Sequence, residues 1–227
     1  MRRSHPFFAQ SSLPKLNMTQ LILTPTPKTK SRKPPLNPRR SSPYFSRGEM
    51  HRKQGRLNSA IEEYRKAVDL HPENSYYRYK LADCCSAAGR FDEAIVEMKL
   101  ARDLVPEEGF YHFWLGDICL RAGQMLEAIT SLQQALLFCP EDAYYTVRLG
   151  MALLQSGFPA EAAAALLVAV TLDPRNASYH SLLADTYFQL GYEREALIQY
   201  RHAGSLDNYD SDFVERVRRL TAHDVLS

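Results

Sequence analysis

Apolar and polar positions along this chain fall in helical blocks, and the blocks themselves repeat. The segments QGRLNSAIEEYRKAVDLHP, AGRFDEAIVEMKLARDLVP, AGQMLEAITSLQQALLFCP, SGFPAEAAAALLVAVTLDP and LGYEREALIQYRHAGSLDN align without a gap at one constant spacing. Glycine returns at Gly55, Gly89, Gly123, Gly157 and Gly191, and a pair of alanines seven apart returns from Ala60 and Ala67 to Ala196 and Ala203. Proline closes four of the five units, at Pro72, Pro106, Pro140 and Pro174. Glycine at a helix end takes the left-handed conformation that other residues resist, so each one marks the stop of a first helix. Each proline stops a second, because its ring disfavours helix in the residue before it. Alanines seven apart share one helix face, where small side chains let a neighbouring helix approach closely. The pattern predicts five units of two antiparallel helices, over residues 41–74, 75–108, 109–142, 143–176 and 177–210.

These positions resemble the tetratricopeptide repeat, in which an aromatic residue, Leu and a small residue of the first helix are followed by Gly, Ala, a large apolar residue, Ala and Pro. The Leu-small pair stands at Leu81-Ala82, Leu115-Gly116, Leu149-Gly150 and Leu183-Ala184. The resemblance implies an all-α fold, a right-handed superhelical solenoid of antiparallel helix pairs whose first helices line a concave groove. The chain departs from the pattern in three places. The family's early Trp position holds Tyr44, Arg78, His112, Thr146 and His180, while Tyr77, Tyr111, Tyr145 and Tyr179 recur one residue earlier. Arg47 stands where the first unit should carry Leu. Asn208 replaces the last proline, and DSDFVERVRRL follows with Phe213, Val214, Val217 and Leu220 on one side. Residues 211–227 are therefore expected to form a helix covering the open end of the solenoid.

Charge divides the chain. Residues 1–48 carry ten Lys or Arg, no Asp or Glu, and eight of the thirteen prolines, leaving 18 basic and 26 acidic groups in the remainder. Residues 1–42 cannot bury enough apolar surface to offset the entropy of ordering, so a disordered basic tail is expected. Their composition also fits an organelle transit peptide, a segment drawn to nucleic acid or an anionic membrane by charge, or sequence upstream of a later start at Met18 or Met50. A cytoplasmic protein is expected, or an organellar one if the tail is a transit peptide. The apolar and basic clusters of LNMTQLILTPTPKTKSRK also make the tail a candidate ligand for its own groove, at the raised effective concentration that tethering gives.

Candidate chemistry is sparse. Cys84, Cys85, Cys119 and Cys139 show neither C-x-x-C spacing nor a histidine at zinc-ligand spacing, and an apolar helical setting makes them small hydrophobes. There is no glycine-rich phosphate loop, and no Ser-His-Asp or Cys-His arrangement can be assembled. The adjacent acids Glu62-Glu63 and Glu107-Glu108 fall on solvent-facing or turn positions. No catalytic residue, cofactor or metal is expected.

The resemblance does imply a binding surface, at the second, fifth, ninth, twelfth and thirteenth positions of each unit. The ninth positions are Glu49, Asp83, Asp117, Met151 and Asp185. The second and fifth add Phe45, Tyr76, Tyr79, Phe110, Phe113, Tyr144 and Val147; the twelfth adds Arg52, Ser86, Leu120, Leu154 and Phe188. The expected groove is acidic and aromatic, with an apolar section around unit four. Its expected ligand is a protein or peptide segment carrying Lys or Arg beside bulky apolar residues. Some members of the family hold the acidic tail of a chaperone with Lys, Asn and Arg; Glu49 and Asp83 stand at the asparagine positions and would repel it. Two alternatives stay open: tyrosines that only pack between helices, and acids that are only solvated. The expected function is a protein-interaction scaffold or assembly factor, the alternative a basic-tailed adaptor to nucleic acid or membrane.

One stretch differs from its counterparts. FPAEAAAALLVAVTLDP has no charged side chain between Glu161 and Asp173, yet its uninterrupted apolar run is far shorter than the roughly 20 residues a bilayer demands. As the second helix of unit four it should bury Ala162, Leu166, Ala169 and Val170. Its other side, Ala164, Ala165, Leu167, Val168 and Thr171, faces outward by register, where unit one carries Glu62, Glu63, Arg65, Lys66 and Asp69. Contiguous exposed apolar surface marks a contact, so this side is a candidate interface for a second copy, another protein or the tail.

Overall fold

The structure, a computed structural model, describes residues 42–206. The expected tail, but for Ser42, and the expected closing helix over 211–227 lie outside the described residues. Within them the chain forms ten helices: α1 (Pro43–Lys53), α2 (Leu57–Leu70), α3 (Ser75–Ala87), α4 (Phe91–Leu104), α5 (Gly109–Arg121), α6 (Met125–Phe138), α7 (Ala143–Gln155), α8 (Pro159–Leu172), α9 (Ala177–Gln189) and α10 (Glu193–Leu206). They pair as the repeat pattern predicts, α1 with α2 through α9 with α10. Each helix packs on the one before and the one after it; α5 also touches α7, so the first helices lie on the inside of the curve.

The punctuation works as physical chemistry requires. Gly123 closes α5 at φ 78° with nothing within 4 Å of where a Cβ would stand, so the demand is for a left-handed backbone and not for space. Gly116 is the opposite case: a Cβ there would stand 2.7 Å from Leu132 Cγ, and its absence lets α5 lie against α6. His71, Val105, Cys139 and Asp173, each before a proline, leave the helix at φ −139°, −144°, −133° and −136°. Asn74 and Asp142 then start the following helices, each accepting from two backbone N–H groups of the first turn.

The departures from the repeat pattern prove to be connections between repeats. Where the family has Trp, Arg78 Nε donates to the Pro72 carbonyl at 2.9 Å, His112 Nε2 to that of Pro106 at 2.8 Å, and His180 Nε2 to that of Pro174 at 3.1 Å. The carbonyl can only accept, which places the histidine proton on Nε2. Each repeat thus ties down the turn that delivers it. Thr146 is too short and bonds the Asp142 carbonyl instead. The tyrosines one residue earlier reach back similarly: the Tyr77 hydroxyl accepts from the Ser42 N–H at 3.0 Å, and that of Tyr111 shares a hydrogen with Ser75 Oγ at 2.9 Å. Arg47, in the leucine position, turns outward to Glu63 at 2.6 Å and lies over the Tyr44 ring.

The paired alanines are buried throughout, and one hydrophobic cluster runs from α2 to α8, with smaller ones toward the last repeat. In α8, Ala162, Leu166, Ala169 and Val170 are buried as expected, and Ala164, Leu167 and Thr171 are exposed. Val168 is only half-buried, and Ala165 does not face outward at all: it is fully buried in the main cluster. Its register position faces the first helix of the same repeat, where Glu63 meets Arg47, Glu97 meets Arg78 and Gln199 meets His180. With Thr146 opposite, no polar partner is needed, and alanine fits. The outer apolar surface of α8 is also not singular, since α4 exposes Val96, Leu100 and Leu104 along one side. No helix among the described residues is long and apolar enough to cross a membrane.

Candidate functional site

The inner surface of the curve is built by α1, α3, α5, α7 and α9, and rings follow one another along it. Phe45 meets Tyr76 at 5.7 Å between centroids, Tyr76 meets Tyr79 at 6.0 Å, Tyr79 meets Phe110 at 4.9 Å, and Phe113 meets Tyr144 at 5.4 Å. Trp114, which sequence reasoning passed over, joins the two halves through Phe110 and Phe113. Fifth-position rings also stack on the third-position tyrosine of the next repeat, Phe45 on Tyr77 at 4.6 Å and Phe113 on Tyr145 at 4.2 Å. Such pairs each contribute about 0.5–1.5 kcal/mol beyond area burial.

These contacts sort the expected binding residues. Tyr79, Phe110 and Phe113 are buried, at 9%, 4% and 3% exposure, so they hold repeats together and do not meet a ligand. Tyr76 is half-buried, while Tyr144 and Phe188 are 41% and 51% exposed. Met151 and Leu154 are half-buried on the same helix as Tyr144. The most exposed rings of the groove, Tyr144 and Phe188, accordingly lie in its later half, over α7 and α9, while Phe45, Tyr76 and Trp114 of the earlier half stay half-buried.

The acids are not a free negative surface. Lys80 Nζ meets Glu49 at 3.1 Å, Arg52 Nη2 meets Asp83 at 2.7 Å, and Arg148 Nη2 meets Asp117. Every one of these pairs crosses a repeat boundary, at one and the same separation along the chain. Burial would raise the Glu49 pKa, but the Tyr64 hydroxyl at 2.5 Å and Lys80 outweigh it and hold the carboxyl below its ordinary value. Burial and the Glu49 carboxylate together push the Tyr64 hydroxyl far up, so it remains a donor. Asp117 is buried, at 7% exposure, and is no open contact for a ligand. Asp185 is exposed and accepts from the Tyr200 hydroxyl. The expectation of an acidic groove is thereby corrected: cations on neighbouring first helices match Glu49, Asp83 and Asp117. The signal was legible in the sequence as opposite charges separated by one repeat less one helical turn.

All four cysteines are buried. Burial pushes the Cys84 thiol to about 11 and those of Cys85 and Cys119 to about 12, so none of these three is a ready nucleophile. Among the described residues no three His, Cys, Asp or Glu side chains gather into a metal site.

A one-dimensional stack of helix pairs with a ring-lined inner face defines a helical-repeat solenoid. Tetratricopeptide repeat models match residues 51–109, 99–145 and 147–208, and the chain belongs to the tetratricopeptide repeat family. No protein of curated function matches it significantly. Among solved structures, MamA is similar at 22% identity and a TM-score of 0.66, over 70% of this chain and 93% of that one. MamA from Desulfovibrio magneticus RS-1 is similar at 18% identity and a TM-score of 0.67, over 72% and 92%. YrrB, described as a TPR protein with an unusual peptide-binding site, is similar at 21% identity and a TM-score of 0.64, over 79% and 92%. At these identities the likeness is one of fold.

Proposed function

We propose that the protein is a non-catalytic interaction scaffold whose inner face takes an extended or helical peptide segment of a partner protein. The observation that carries this is the strip formed by Tyr144, Met151, Leu154 and Phe188. It carries the two most exposed rings of the inner face, on α7 and α9, whereas Tyr79, Phe110 and Phe113 are buried between repeats. A ligand recognised there carries bulky apolar residues, with a Lys or Arg placed over the exposed Tyr144 face. Because Glu49, Asp83 and Asp117 are matched by Lys80, Arg52 and Arg148, apolar contact leads and charge is secondary. An acidic chaperone tail does not fit, since the groove cations are already engaged by carboxylates. That YrrB is described as peptide-binding supports the reading at the level of the fold.

Selection of displayed random peptides on the immobilised full chain tests it. Enriched sequences should combine bulky apolar residues with Lys or Arg, and enrichment should be lost with Tyr144→Ser/Met151→Ser. Equal enrichment on the variant, or enrichment of acidic peptides, would refute the assignment.

A further inference from the structure

The outer face of the solenoid changes character along the array. Its second helices carry a ladder of ion pairs: Arg65 of α2 meets Glu93 of α4, and Lys99 of α4 meets Glu127 of α6 at 2.6 Å. The same places in the next two steps hold Gln133 beside Glu161 and Leu167 beside Glu195. The glutamates continue where their cations stop.

What replaces the ladder is free of charge. Along its outward side α6 presents Leu126, Thr130, Gln133 and Leu137, and α8 presents Ala160, Ala164, Leu167 and Thr171. All are exposed except the half-buried Gln133, and the three leucines leave 66%, 51% and 46% of their surface open. The matching side of α2 carries Glu62, Arg65 and Asp69, that of α4 Asp92, Lys99 and Asp103, and that of α10 Arg194 and Arg201. Two neighbouring helices thus form one uncharged patch between charged ones, with Glu161 at its rim. Contiguous exposed surface of this kind marks a contact.

The patch matches itself. When two copies meet back to back about a two-fold axis running along the row of repeats, each second helix lies antiparallel on its own mate. Leu126 then faces Leu137 of the second copy, Thr130 faces Gln133, and Leu167 faces Ala164, a large side chain over a small one. Charge agrees with this arrangement. Arg201 of the second copy comes within about one helical turn of Glu195, and neither has an ion-pair partner among the described residues. The outer side of α4 fails the same test: its Val96, Leu100 and Leu104 are similarly exposed, but an antiparallel mate would set Asp92 against Asp103 of the second copy.

We propose that the outer faces of α6 and α8 join two copies of this chain back to back about a two-fold axis, each helix antiparallel on its mate. The two helices offer a plan area of roughly 400 Å2 a side, which sets the dimer among weak, reversible ones. The inference goes beyond the peptide-groove reading and does not rest on it. The inner faces of the two copies look in opposite directions and stay free, so one dimer holds two partner segments at once.

Sedimentation velocity of the full chain over about 1–300 µM should show a monomer–dimer equilibrium. Ala164→Glu and Leu167→Arg, each alone, put two unmatched charges into the contact and should weaken the dimer about thirtyfold. Mixed in equal amounts, the two variants should form a heterodimer at least about tenfold tighter than either homodimer, because the introduced carboxylate then faces the introduced guanidinium. Both positions are exposed and α2 carries Glu62 and Arg65 in them, so neither change threatens the fold, which circular dichroism verifies. A monomer at every concentration, single variants that dimerise like wild type, or a mixture no tighter than its components would each overturn the proposal. So would a dimer that disappears on removal of residues 1–41, since the tail would then make the contact.

Discussion

Arg148 and Asp117 decide whether the groove acids are structural members or ligand contacts, and a double-mutant cycle separates the two. Their side chains are only 16% and 11% exposed, and Arg148 Nε is buried without a partner. Arg148→Met leaves the Asp117 carboxylate alone on the wall between α5 and α7. Stranding one member of a buried pair costs about 3–5 kcal/mol, and the water that reaches this one puts the expected loss near the bottom of that range. Asp117→Leu should cost less, about 1–2 kcal/mol, because the long Arg148 stem can carry its head toward solvent. The double variant replaces charge with apolar volume and should lie within about 1 kcal/mol of wild type. The cycle then returns a coupling of about 3 kcal/mol. With a urea slope of about 2 kcal/mol/M, Arg148→Met lowers the midpoint by about 1.5 M and the double recovers most of it. Trp114, the single tryptophan, stands one helical turn from Asp117 on α5, so its fluorescence reads this boundary while circular dichroism reads the whole array. A double variant whose loss equals the sum of the singles within about 0.5 kcal/mol would refute the reasoning and return Asp117 to the list of ligand contacts.

His112 should make stability fall in mild acid. Burial holds its pKa below 6.5 despite the bond to the Pro106 carbonyl, so the unfolded chain binds the proton first. The stabilisation is intact above pH 6.5 and is lost as pH falls from there through the depressed value. His112→Gln should flatten urea midpoints between about pH 7 and pH 5, and an unchanged slope would contradict the assignment. On the outer surface, Leu167→Glu/Val168→Lys should leave helical content intact and lower self-association measured by sedimentation velocity. If wild type and variant sediment alike at every concentration, the α8 surface makes no contact between copies.

The helices, their order and their ends could be read from the sequence because they depend on local chemistry that recurs: a left-handed glycine, a proline, a pair of small residues. What recurs once per repeat is visible by alignment alone. The groove was read less well, because the same alignment names which positions face inward without telling which neighbours meet there. Phe110 and Tyr144 occupy the same position of their repeats, but Phe110 is buried among Tyr79, Tyr111 and Trp114, whereas Tyr144 beside Phe113 keeps 41% of its surface exposed. Asp83 reads as acidic in isolation and as neutralised once Arg52 is counted. Ala165 reads as outward by register in unit one, where Glu63 needs water or Arg47, and inward in unit four, where a methyl group opposite Thr146 needs neither.

The ion pairs along the inner face also have a mechanical meaning. Each helix touches mainly its chain neighbours, with α5 and α7 the closer exception, so the array bends at its boundaries as a spring bends between coils. Opening the curve stretches what lies on its inside first, and there lie Glu49–Lys80, Arg52–Asp83 and Asp117–Arg148. These pairs resist that opening alongside the buried rings at each boundary. Their share of that resistance is electrostatic, greatest in dilute buffer and weakened as salt screens the more exposed Arg52 and Glu49, so the compliance of the curve carries a salt-dependent part.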